Sequence, residues 1–319
     1  MNITKKQTVI YKGISILLIV LHNYLHLLSP KLGENEMHFK EGRALQYFEY
    51  GLSNPLEVFK LLFSYFGHYG VAVFIFLSAY GLTASLEKND TNKTTENYVS
   101  FLIHRFSKIY IPFVLVILVY LMLGFSKSYL QNTPALLWCS PVDVTLTSVV
   151  LKLLLISNFI PGESLKPVGP WWFLSFIFQF YLIFPFIYSF FRKFGCMFLV
   201  FVSVLGYFME LVIWERFFSL NINFTIFGHL PLICFGLYLK SNLLQNGLVV
   251  LCFICFILGN MYYPFWILSD LSFTVLFLFI FKSFGLNNSN FFLIFSILGR
   301  YTLYIFLRYI LQFTITCFI

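Results

Sequence analysis

A histidine ten residues after a lysine, inside an otherwise apolar run, is the first feature here that could do chemistry. Residues 11–26 read YKGISILLIVLHNYLH, with Lys12 near the start and His22 near the end. An imidazole has an ordinary pKa of about 6.5, so it can take a proton from a hydroxyl near neutral pH or carry a group covalently. On a helix turning about 100° per residue, Lys12, Ser15, His22, Asn23 and His26 fall within roughly a third of the circumference. Only Ile19 interrupts that stripe. Ten residues rise about 15 Å, half of a ~30 Å hydrocarbon core. With Lys12 at one rim, His22 is therefore expected near mid-membrane, where an ionisable side chain is costly and marks function. The bland alternative is a buried histidine tying two helices together. Five polar residues on one face favour chemistry. His26, one turn further, is expected at the membrane interface.

Three other constellations matter. Arg105 and Lys108 are three apart, hence on one helical face, and such a pair can grip a phosphate. Its bland reading is a positively charged anchor at the inner rim. Residues 67–81 hold Gly67, Gly70, Ser78, Ala79 and Gly81, which allow close helix approach, while His68 and Tyr80 could face a cavity. Trp171 and Trp172 follow Gly169-Pro170 at a loop–helix junction, either as an interfacial belt or as a platform for a sugar ring. Cys252-x-x-Cys255 sits among Leu, Phe and Ile and reads as helix filler, so no metal site is expected. Arg308 and Glu210 lie inside apolar runs and need partners.

The elements that must position these residues are membrane helices. The chain has 319 residues, 59% hydrophobic and only 11% charged, against roughly 25% charged in soluble chains. Mean hydropathy is +0.83. The net charge of +8 is scattered at run ends, which excludes a nucleic-acid surface and fits the positive-inside rule. The expected fold is all-α, a polytopic integral membrane helical bundle forming one domain over 1–319. Apolar runs near 8–29, 68–86, 106–125, 171–191, 196–213, 223–240, 245–262, 264–284 and 290–316 read as spans. Counting 148–160 makes about ten transmembrane helices, and nine if 148–160 does not span. Residues 56–66 carry Glu57 and Lys60 and read as interfacial or re-entrant. Lys5, Lys6 and Lys12 argue for a cytoplasmic N-terminus, with 30–55 outside and 87–105 inside. Neither an internal repeat nor a cleavable leader is evident.

These segments, in this order, resemble the membrane-bound acyltransferase 3 family. Lys12-Gly13 to His22 matches its first-helix motif, and Gly70 to Gly81 its G-V-x-x-F-x-F-L-S-G-type second helix. Arg105-x-x-Lys108-x-Tyr110-x-Pro112 is similar to its R-x-x-R segment. Trp172 to Pro185 and Gly299 to Leu307 resemble its later motifs. The chain departs from the pattern in several places. Lys12 stands where Arg is common and one residue nearer the histidine, Ala79 replaces Gly, Lys108 replaces the second Arg, Ile177 replaces a Glu, and Tyr309 stands where many members carry His.

The resemblance implies an O-acyltransferase, one that transfers groups other than amino-acyl groups, in the bacterial cytoplasmic (inner) membrane. The donor would be acetyl-CoA or another acyl-CoA, used as a substrate, with no permanently bound cofactor. The acceptor would be a hydroxyl of a surface polysaccharide or its lipid-linked sugar precursor, giving O-acetylation of the glycan. By the same analogy His22 is the catalytic residue, as base or as covalent acyl carrier. Arg105, Lys108 and Lys12 would meet the donor's phosphates, and Asn23, Tyr80 and Trp172 the substrate. Two other classes fit the composition: a glycan transporter or flippase, and a lipid-linked glycan polymerase. No pseudo-symmetry supports the first. No large outside loop supports the second.

Overall fold

The computed structural model describes residues 3–26, 28, 32–89, 95–131, 145–213, 220–241, 246–283 and 291–316. Those residues form helices and turns with no strand, as the composition requires. In chain order the helices are α1 (Lys5–Leu25), α2 (Arg43–Ser53), α3 (Val58–Phe66), α4 (Tyr69–Asn89), α5 (Thr95–Gln131), α6 (Leu146–Leu153) and α7 (Trp172–Phe194). They continue with α8 (Cys196–Phe208), α9 (Leu230–Ser241), α10 (Asn246–Gly259), α11 (Ser269–Ser283), α12 (Phe291–Arg300) and α13 (Thr302–Thr316).

Four of these helices are long and apolar enough to cross a membrane: α1, α4, α5 and α7. The broken pair α12 and α13 makes a fifth if counted as one span. About ten spans is therefore more than the described helices support by length. Two expectations change. Residues 148–160 do not span: α6 stops at Leu153, and its 8 residues rise only about 12 Å. The last apolar run is two helices, interrupted at Tyr301.

The chain divides into two compact units. The first comprises Met1–Glu87, Phe194–Leu211 and His229–Thr302. Its opening helix starts where a capping box dictates. The Thr4 hydroxyl accepts from the Gln7 backbone N–H, and the Gln7 side chain accepts from the Thr4 N–H. Two glycines let α1 and α12 touch backbone to backbone. A Cβ on Gly13 would lie 1.9 Å from the Phe295 carbonyl oxygen, and one on Gly299 would lie 1.7 Å from the Val9 oxygen. That is small-residue packing of the kind membrane helices use in place of a hydrophobic driving force.

The second unit comprises Lys88–Lys193, Val212–Gly228 and Leu303–Ile319. Its core joins Phe113, Ile117 and Tyr120 of α5 to Val149, Leu155, Trp171, Leu174 and Ile310. Trp171 receives Phe113 and Tyr120 edge-on, with ring centroids 5.3 and 5.6 Å away. Leu155 turns the chain after α6 in the left-handed region at φ 59, which costs a non-glycine residue roughly 1–2 kcal/mol. Burial of its side chain in this core offsets that cost.

Candidate active site

His22 lies in the last turn of α1, buried to 1% exposure. Because the capping box starts the helix at Lys5, Lys12 is already two turns in, and His22 stands about 25 Å along the axis from Lys5. The histidine is thus near the far end of the helix rather than at its middle. Its backbone neighbour is Gly67, where a Cβ would fall 2.7 Å from the His22 Cβ. Any larger residue at 67 would push α1 away from the segment joining α3 to α4.

The ring is fixed by one bond. His22 Nδ1 lies 2.9 Å from the Ser64 carbonyl oxygen. A carbonyl only accepts, so Nδ1 carries the hydrogen and donates. Ser64 is in the last turn of α3, where the helix leaves carbonyls over for outside donors. Neutral His22 therefore has its lone pair on Nε2. The Ser64 hydroxyl is itself 3.3 Å from Tyr47 Oη. His26 caps the arrangement: its Nδ1 donates to the His22 carbonyl at 3.0 Å, and its ring stacks on His22 at 4.9 Å. It braces His22 from the next turn. His68, just ahead of α4, sets its ring edgewise at 5.5 Å.

The segment between α1 and α2 brings a carboxylate to this histidine. Glu36 Oε2 is 3.4 Å from His22 Nε2, an ion-pair contact too long for a full hydrogen bond. Burial pushes the Glu36 carboxyl up, but contact with His22 and the nearby His68 and His26 hold it below the ordinary carboxylate value. The Glu34 carboxylate is close by, and the His22, Glu34 and Glu36 ligand atoms lie within 4.8 Å of one another, a spacing a metal ion could bridge. Asn35, between the two acids, anchors the turn. Its carbonyl accepts from Trp266 Nε1 at 2.6 Å, its Oδ1 accepts from the Lys40 N–H and Arg43 Nη1 at 3.0 Å each, and its Nδ2 reaches Tyr65 Oη at 3.4 Å. Arg43 Nη1 also donates to the Glu34 carbonyl. Beyond this turn, Asp270 of α11 is near enough to feel the Glu36 charge and lies 3.7 Å from His229 Nδ1.

The other residues expected at a site are distributed. Asn23 follows His22 on α1, and its Nδ2 donates to the Ile19 carbonyl at 2.9 Å. Lys12 is half-buried on the same helix. Tyr80 does not join the cluster. Its hydroxyl accepts from the Ile3 N–H at 3.0 Å, at the opposite end of α1 from His22, and the Lys240 ammonium lies 5.8 Å from its ring centroid. In the second unit, Arg105 is half-buried with its guanidinium 5.7 Å from the Phe101 centroid, and Lys108 is exposed one turn on. Phe106, Ile109, Tyr110, Ile177, Phe178 and Tyr181 border a shallow apolar hollow in that unit with room for about one water. Trp172 is 6% exposed among Phe173, Phe176 and Phe224. Packing occupies it there.

A family model described as an acyltransferase domain matches residues 10–318. The chain belongs to the acyltransferase 3 family. No curated protein and no solved structure matches it. In this acyltransferase the glycines of the motifs lie at helix contacts: Gly13 and Gly299 between α1 and α12, Gly67 and Gly70 against α1. Sequence reasoning missed Glu36, Asn35 and Ser64. The signal for the first two was present in Gly33-Glu34-Asn35-Glu36, a polar turn holding two acids close after the histidine helix. Ser64 acts through its backbone, so its side-chain type carries no signal.

Proposed function

We propose that this acyltransferase moves an acyl group, acetyl in the simplest case, from acyl-CoA to a hydroxyl of a surface polysaccharide or its lipid-linked precursor. The observation that carries this reading is the state of His22: Nδ1 is committed to the Ser64 carbonyl, so Nε2 is a buried lone pair. Nε2 takes the hydroxyl proton as the oxygen attacks the thioester carbon. The C–S bond breaks, and the departing thiolate takes up the proton. Arg105 and Lys108 supply cations for the donor's phosphates, by charge-assisted hydrogen bonds. Asn23, adjacent to the base, is assigned to the substrate, while Tyr80 and Trp172, held elsewhere by their own contacts, are not. The setting is the bacterial inner membrane, with the N-terminus cytoplasmic.

The test is mass spectrometry of surface glycan from cells making the intact chain or His22→Ala. The intact chain adds the mass of one acyl group per modified sugar, and the variant adds none while glycan export and chain length persist. Acylation surviving in the variant sinks the base role. Loss of export, with unmodified glycan kept inside, would make the protein a transporter. Arg105→Ala raises the apparent KM for acetyl-CoA, and an unchanged KM returns Arg105 to a topology anchor.

A further inference from the structure

We propose that Glu36 is the proton partner of His22, with its carboxylate holding the charge created when Nε2 takes the acceptor's proton. The inference rests on the reading of His22 as the base and adds a residue to it. With Nδ1–H donated to the Ser64 carbonyl, Nε2 of the neutral ring and Glu36 Oε2 are two acceptors 3.4 Å apart. Two acceptors facing each other in a buried place repel unless a donor hydrogen comes between them. An incoming hydroxyl supplies that hydrogen, since its oxygen can sit within hydrogen-bond reach of both. When the O–H bond breaks, the hydrogen bonds to Nε2 and the electron pair stays on oxygen for attack on the thioester carbon. The imidazolium Nε2–H then donates to Oε2, and positive charge forms beside a carboxylate already in place. In a serine-protease triad the carboxylate holds the other imidazole nitrogen. Here a backbone carbonyl has that task, so the carboxylate is left on the reacting side.

The way Glu36 is mounted supports this. Its neighbour Asn35 is 2% exposed and bound from the Trp266 indole, Tyr65, Lys40 and Arg43. A turn braced from α2, from α3 and from the segment before α11 holds Glu36 in place, whereas a loose surface acid would be free to swing into solvent. The titratable groups around the pair are His26 on α1, His68 ahead of α4, Glu34 in the same turn and Asp270 on α11. Among the described residues, Glu36 is the acid in ion-pair contact with Nε2.

The experiment uses the full chain in proteoliposomes, with acetyl-CoA and a soluble acceptor glycan, and compares wild type with Glu36→Gln, Glu36→Asp and Glu34→Gln. In Glu36→Gln kcat falls about 30-fold or more, while the KM for acetyl-CoA stays within about threefold. Glu36→Asp recovers part of kcat, and Glu34→Gln stays within about threefold of wild type. The ¹⁵N resonance of His22 Nε2, assigned by its loss in His22→Gln, moves in Glu36→Gln and holds in Glu34→Gln. A Glu36→Gln enzyme with unreduced kcat, or an unmoved Nε2 resonance, overturns the proposal. So does a stoichiometric divalent metal whose removal by chelator abolishes turnover, with Glu34→Gln as damaging as Glu36→Gln, since the three residues would then be a metal centre. If wild type transfers nothing, the acyltransferase reading of the substrate fails, and the Nε2 resonance alone decides whether Glu36 pairs with His22.

Discussion

The buried polar groups of the two units are closed off in different ways. In the second unit several of them end on backbone. Lys152 Nζ donates to the Ser164 carbonyl at 2.7 Å, and the Asn158 amide donates to the Trp172 and Phe224 carbonyls at 2.9 and 2.6 Å. Gln179 Oε1 accepts from the Ile226 N–H at 3.1 Å, and Tyr110 donates to the Leu153 carbonyl at 3.0 Å. In the first unit, His22 gives one nitrogen to backbone and turns the other to a carboxylate on a separate segment. Polar groups that end on carbonyls staple irregular chain to helices and leave nothing over for a ligand. A nitrogen lone pair facing a carboxylate is unsatisfied until a proton or a ligand arrives. The contrast separates polar groups that hold the fold from the one proposed above as the base.

Substitutions at the two kinds of group should therefore fail differently. The largest effect is expected at His22. His22→Ala lowers acyl transfer by on the order of 1,000-fold while thermal unfolding of the detergent-solubilised protein moves little. A large loss of stability with residual transfer would place His22 with the staples. Next comes Asn158→Ala, which strands two buried carbonyls. It should cost about 2–3 kcal/mol, read by chemical unfolding, with kcat of the folded fraction unchanged. A kcat loss without a stability loss would blur the division between the units.

Smaller and conditional is the pH dependence set by Lys152. Burial pushes its ammonium down to about 7 from 10.5, with the Glu163 charge opposing. Between those values the unfolded chain binds one more proton than the folded one. Stability should therefore rise as pH goes from about 7 to 10.5 and fall on the way back. Lys152→Met should flatten that slope, as measured by melting temperature across the range. A slope that survives would show that other groups carry it. The smallest change is expected for Asn23→Ala. Its amide bonds back to its own helix, so stability should shift by under about 1 kcal/mol, and any change in acceptor KM then reports sugar contact alone.

Much of the architecture was legible in the sequence. Low charge and long apolar runs required helices throughout, because only an internally hydrogen-bonded backbone tolerates a bilayer. The glycines at 67 and 70 announced close helix contacts and have a neighbouring backbone where a Cβ would go, whereas Gly81 has open space there; the contacts of Gly13 and Gly299 were found only in the structure. His22 was marked by being ionisable in an apolar run. The start of its helix was not legible, since hydropathy sees where the apolar run begins and not where Thr4 and Gln7 start the helix. The run 148–160 looked like a doubtful span for the same reason. It is apolar because it packs into a core around Trp171, and α6 ends after 8 residues.

By itself, then, the sequence determined the helical class and the family, and it singled out His22 as an ionisable side chain in an apolar run. Each of those rests on residue type and local spacing. Only the tertiary structure decided what that side chain meets. Glu36 reaches His22 because Asn35 is pinned by Trp266, a hydrogen bond spanning 231 residues of chain. The ring's tautomer is set by the carbonyl of Ser64, 42 residues away. A backbone acceptor has no letter in the sequence, and a turn closed by distant partners leaves no period in it.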